Sequence, residues 1–158
     1  DYDARAALMW AGSLSHNDLT SCGRTYMMQV HHLEHEISGL YPDIAHGAGM
    51  SALWASWARF VCESRVERFA QYAVRMWNVE MDFEDPKKTA YKGIRKTEEY
   101  FKSLNMPVSL RELGIKEEEL ELLAEKCSFK RTRTIKGIVE IGKDEMLAIY
   151  RLAMKGME

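Results

Sequence analysis

Proline is scarce in this chain, three in 158 residues. Pro42, Pro86 and Pro107 all stand at the edges of segments with helical apolar spacing, where a residue without an N–H does least harm. Cysteine is equally sparse. Cys22, Cys62 and Cys127 are odd in number and far apart, which excludes a disulfide framework and fits a reducing cytoplasm. No apolar run approaches the ~20 residues of a membrane span, and there is no signal-peptide pattern. Excess charge is missing too: a net charge of −2 leaves no electrostatic case for nucleic acid or an anionic membrane as partner. No internal repeat or low-complexity segment occurs.

Apolar residues make up 46% and charged residues 29%, the balance of a soluble globular chain of one domain's length. The 3.6-residue apolar period runs through nearly all of it and predicts an all-α domain of seven or eight helices. The expected helices are Asp3 to about Leu19, with Asp3 as N-cap and Ala4, Leu8, Ala11 and Leu14 on one stripe; Arg24 to Leu40; His46 to about Cys62; Ser64 to Trp77; Pro86 to about Leu104; Lys116 to Cys127; and Asp144 to Met154. Ser64 with Glu67, and Ser109 with Glu112, have capping-box spacing. Asp85-Pro86 reads as an N-cap followed by Pro at the first helical position. Only Phe129 to Gly142 lacks helical period. Ile138 to Ile141 is expected as a short extended piece, and the basic run Lys130-Arg131-Thr132-Arg133 as a solvated loop, with phosphate contact as the sharper alternative.

Four of the five histidines fall between residues 31 and 46. His31 and His35 are four apart and share one helix face, about 5–6 Å from each other. His32 points roughly 100° away. Pro42 stops the helix and forces a turn at Tyr41-Pro42-Asp43. His46 then opens the next helix and can fold back over the first pair. Neutral imidazole is the commonest protein metal ligand, so converging histidines suit a divalent ion. The bland reading is a surface pair or a satisfied core. The spacing is not His-Glu-x-x-His, so a metalloprotease is disfavoured. Gly47-Ala48-Gly49-Met50-Ser51-Ala52 has the letters of a dinucleotide loop. It follows a turn rather than a strand, so it is read as close packing at a helix start. Tyr26, Met27 and Val30 are read as apolar cover beside the histidines, and Trp54 as core or as the wall of a substrate pocket.

His31-x3-His35, then Ser38-Gly39-Leu40-Tyr41, then His46-Gly47-Ala48-Gly49 running into Leu53-Trp54, resembles the second metal motif of the iron-dependent alcohol dehydrogenases, above all their butanol-dehydrogenase branch. The resemblance covers essentially the whole chain but only the later part of the family's length. It implies an all-helical C-terminal domain of the dehydroquinate synthase-like fold, with Fe(II) or Zn in a cleft against a nucleotide-binding N-terminal domain, and NADP or NAD as cofactor. Carried over by position, His31 and His46 match two metal ligands, and His35 matches a catalytic histidine beside the nicotinamide and substrate. Relatives space the two ligands one residue closer, which would select His32. The His-x3-His pair and the following Ser-Gly-Leu-Tyr select His31, with the extra residue placed in the turn at Pro42. The family's earlier Asp-x3-His, source of the other two ligands, does not occur here.

The chain begins at Asp1, without Met and within a helical pattern. Residues 1–158 are therefore expected to be the later part of the helical metal-binding domain, with the nucleotide-binding domain absent and the isolated chain inactive. The parent reading is an NAD(P)H-dependent alcohol dehydrogenase or aldehyde reductase, a homo-oligomer acting on small alcohols and aldehydes. The alternative is a non-catalytic helical metal-binding or interaction module. A hydrolase using Glu34 or Glu36 as base lacks a complete ligand set.

Overall fold

The structure is a computed structural model that describes residues 1–23 and 27–156. It contains α1 (Tyr2–His16), α2 (Gln29–Leu40), α3 (His46–Cys62), α4 (Val66–Trp77), α5 (Pro86–Ser103), α6 (Leu120–Cys127) and α7 (Lys143–Lys155), with short 3-10 turns at Leu19–Ser21, Arg111–Leu113 and Glu117–Glu119. No strand forms among the described residues. The extended piece expected at Ile138 to Ile141 reduces to one antiparallel bridge, Ile135 to Ile141. No helix among them is long and apolar enough to cross a membrane.

The central element is α3. One of its sides packs with α2, α6 and α7 around Leu33, Ile37, Leu53, Leu123, Met146 and Tyr150. Its other side packs with α4 and α5 around Ala58, Phe69, Ala70, Ala90 and Ile94. Trp54, Trp57 and Phe60 belong to both cores. Helix α3 is apolar nearly all round, as a helix buried between two layers must be. Trp54 lies in an aromatic cluster with Tyr72 and Phe101, ring centroids 5.7 and 6.4 Å away, which makes it a joint of the two cores.

Helix starts depart from expectation in ways the hydrogen bonds explain. Asp1, not Asp3, caps α1 by accepting from the Ala4 N–H at 3.2 Å. The stripe of Ala4, Leu8, Ala11 and Leu14 buries nothing: no residue of α1 is buried. The start expected at Arg24 lies outside the described residues, as does Tyr26, and α2 as described begins at Gln29. Ser64 does not cap α4. Its N–H bonds back to the Val61 carbonyl at 3.1 Å, closing α3, so Arg65 takes the N-cap position without a side-chain bond. Asp85 holds its cap position, but the Asp82 carboxylate accepts from its N–H at 2.8 Å. Leu104, expected in the core, is 51% exposed because it lies past the end of α5. The Ser109–Glu112 box forms: Ser109 Oγ donates to Glu112 Oε1 at 2.8 Å and accepts from the Glu112 N–H at 3.3 Å.

The segment without helical period is pinned by buried Gln29. Its Nε2 donates to the Ile135 and Val139 carbonyls at 3.0 and 2.7 Å, and its Oε1 accepts from Trp57 Nε1 at 3.0 Å. Three consecutive residues, Phe129, Lys130 and Arg131, have φ of 47, 54 and 66°. This left-handed turn follows α6; Lys130 and Arg131 on it are exposed, and Arg133 just after it is half-buried. Arg131 pairs with Asp144 at 2.9 Å.

Candidate metal centre at the α2–α3 junction

The turn between α2 and α3 forms as the proline dictates. Tyr41 leaves helical geometry at φ −129°, ψ 75°, and its N–H still reaches the Ile37 carbonyl at 2.8 Å. Ala45 is extended, so α3 starts at His46 and folds against the last turns of α2. This brings His31, His35 and His46 together. Ring centroids stand 5.0 Å apart for His31 and His46, 5.7 Å for His35 and His46, and 6.1 Å for His31 and His35.

His32 lies 6.0 Å from the ring of His35, but its Nδ1 is engaged by Arg133 Nη2 at 2.8 Å. Its carbonyl accepts from Cys127 Sγ at 3.4 Å. Arg133 in turn lies 4.6 Å from the centre of the Phe129 ring. The basic segment thus holds His32 aside. Of the expected apolar cover, Val30 is buried and Met27 is exposed.

Burial, with His46 and His35 beside it, holds the His31 imidazole below its ordinary pKa. Burial and then Arg133 do the same for His32. A neutral ring keeps a lone pair for a ligand.

Glu34 is the residue that spacing alone missed. It is fully buried, one position before His35, and its Oε2 pairs with His46 Nδ1. Its Oε1 accepts from Ser38 Oγ at 2.6 Å. Burial and full engagement remove it as a base for water, so the hydrolase reading loses that candidate. The Ser38 offset of four and the two glycines opening α3 were the available signals. Single ligand atoms of Glu34, His35 and His46 lie within 4.8 Å of one another. With Glu34 committed to His46 and Ser38, the free donors are imidazoles, which suit both iron and zinc. Two or three of them fit such a metal without completing a four-coordinate site.

The fold and site define a helical domain with an imidazole cluster at one helix–helix junction. Residues 1–154 match the profile of the Fe-containing alcohol dehydrogenase family, C-terminal region, and the chain belongs to that family. It is 36% identical over 152 residues to NADH-dependent butanol dehydrogenase A of Clostridium acetobutylicum, a match covering 96% of this chain and 39% of that protein. Probable NADH-dependent butanol dehydrogenase 2 of Bacillus subtilis is 29% identical, over 98% of this chain and 40% of its own length. Among solved structures, NADH-dependent butanol dehydrogenase A of Thermotoga maritima superposes with a TM-score of 0.88 at 28% identity, covering 97% of this chain and 39% of that one. The chain therefore spans about two-fifths of the length of the relatives it matches.

Proposed function

We propose that this chain is the later, helical part of an NAD(P)H-dependent alcohol dehydrogenase or aldehyde reductase that interconverts small primary alcohols and aldehydes. The observation that carries the reading is the meeting of His31, His35 and His46 at the α2–α3 junction. Its context is the family, whose butanol dehydrogenase members are named as NADH-dependent. One relative, from Entamoeba histolytica, is named NADP-dependent, so either nicotinamide fits the family.

In this reading His31 and His46 hold Fe(II) or Zn, with the further ligands supplied by the family's earlier Asp-x3-His helix, which this chain does not carry. When bound, the metal supplies a Lewis acid for the substrate oxygen. His35 is the most exposed histidine on α2. It exchanges the alcohol proton with solvent, a task that suits imidazole near neutral pH. Arg133 keeps His32 out of the ligand set. Free Cys22, Cys62 and Cys127 fit a cytoplasmic setting. The exposed Leu8, Met9 and Trp10 of α1 fit contact with the rest of a homo-oligomeric enzyme.

The test joins this chain to the upstream portion that its relatives carry. Metal content and NAD(P)H oxidation with butanal are measured on that protein and on the isolated chain. Metal-dependent reduction by the joined protein alone is expected. A joined protein that binds metal tightly but oxidises no NADH or NADPH with any short aldehyde would overturn the assignment.

A further inference from the structure

We propose that Glu34 is a positioning residue for the metal centre: its buried carboxylate accepts the Nδ1–H of His46, fixes the tautomer, and leaves Nε2 as the lone pair that faces the ligand. The proposal rests on the reading of His46 as a ligand, and adds to it the group that sets which nitrogen is free.

Three observations carry it. Glu34 is fully buried, and its ion-pair partner among the described residues is His46, whose side chain is 47% exposed. A buried carboxylate needs charge-assisted hydrogen bonds to offset its desolvation. Glu34 finds them in His46 and in Ser38, 2.6 Å away. The space for the carboxylate is built in. A Cβ at Gly49 would stand 2.6 Å from Glu34 Oε1 and 2.7 Å from its Cγ, so the helix that begins with His46 carries, three residues on, the gap that admits its partner. Finally, the geometry determines the proton. A histidine free in water favours Nε2–H, and an acceptor at Nδ1 reverses that preference. Metal-bound histidines commonly donate their other N–H to a carboxylate in this way, which orients the ring and raises its basicity. Glu34 does not touch substrate or metal; it acts through His46.

The first measurement uses the metal-free chain, with 15N NMR of the histidine rings at a pH where they are neutral. His46 is expected as the Nδ1–H tautomer in the wild type and as mainly Nε2–H in Glu34→Leu and in Gly49→Ala, which crowds the carboxylate out. A wild-type His46 that is mainly Nε2–H overturns the proposal. Should Glu34→Leu fail to fold, Gly49→Ala reads the same tautomer with the carboxylate retained. The second measurement uses the intact enzyme loaded with Zn or Co(II). Glu34→Gln, which keeps an oxygen acceptor but no charge, is expected to weaken metal binding about 10–100-fold at unchanged helix content, and to shift the Co(II) visible spectrum. Metal retained in His46→Ala overturns the ligand reading and the proposal with it. Metal lost in His46→Ala but bound normally in Glu34→Gln overturns the positioning role alone.

Discussion

The hydroxyl of Tyr150 donates to the carbonyl oxygen of Leu33 at 2.7 Å, inside a core where both residues are fully buried. Leu33 lies between His31 and His35, so α7 sets the height of the histidine-bearing turn of α2. Burial pushes the Tyr150 phenol well above its ordinary pKa and keeps it a donor. Tyr150→Phe removes the second bond of a carbonyl that lies inside α2 and is expected to cost about 0.5–1.5 kcal/mol. Urea unfolding of the two proteins measures it; a difference below the error of the fit would show that the carbonyl finds another donor.

Helices α4 and α5 approach closely enough that a Cβ at Gly93 would lie 2.4 Å from the Ala73 Cβ and 2.7 Å from its Cα. Alanine favours a helix interior over glycine by about 1 kcal/mol. Overpacking a rigid contact costs about 1–3 kcal/mol, and here the obstructing atoms include backbone. The contact wins, so Gly93→Ala is expected to lower the thermal midpoint. The α3 residues Trp54 and Trp57 pack against this pair of helices, so their fluorescence should shift as well. A Gly93→Ala protein that melts higher than wild type would contradict the close approach.

Tyr41 and Glu119 couple the α2–α3 turn to the start of α6, and each moves the other's titration. The hydrogen bond to Glu119, reinforced by burial, pushes the Tyr41 phenol from 10.0 up to about 12. An acid with a raised folded pKa stabilises below its unfolded value; that contribution is lost as pH rises from 10 through about 12. The same bond, with the Lys116 N–H, holds the Glu119 carboxyl below its ordinary 4.5. Its contribution is present above 4.5 and lost as pH falls below it. Tyr41→Phe is therefore expected to lower stability most between pH 4.5 and 10.0, where both contributions are present, and so to flatten the profile toward both ends. Denaturation midpoints across the pH range provide the check, and an unchanged alkaline limb would rule the coupling out.

The helices were legible where period and punctuation agreed. Pro42 marks the turn, the apolar period places a helix from His46 to about Cys62, as found, and the i, i+4 spacing puts His31 and His35 on one face. What stayed hidden depends on contacts remote in sequence. Arg133 reaches His32 across 101 positions, and Gln29 pins a segment more than a hundred residues away; no local pattern encodes either. Glu34 hid for another reason. A glutamate between histidines on a helix reads as solvated, and only the gap at Gly49 reveals that it is buried. Helix α1 misled in the opposite sense, because an apolar stripe states a capacity to pack and not the presence of something to pack against.

The three clustered histidines differ in surroundings, and their variants should differ accordingly. His31 is partly buried and held neutral by burial and by its imidazole neighbours. His46 is oriented through Nδ1 by Glu34. His31 thus offers a neutral ring, and His46 one lone pair oriented from behind by a carboxylate, as ligands are. His35 is exposed, and no hydrogen bond fixes its ring among the described contacts. In the intact enzyme, His31→Ala and His46→Ala are expected to lose metal and aldehyde reduction together. His35→Ala is expected to keep its metal while turnover falls by about 10²-fold or more, the usual scale for removing a general acid or base. In the isolated chain, two imidazoles fall short of the three protein ligands of a catalytic zinc site, so metal binding should be weak for wild type as well. Metal analysis paired with steady-state kinetics on the three variants separates the roles. If His35→Ala emptied the site while His31→Ala left it full, the two α2 histidines would exchange their assignments.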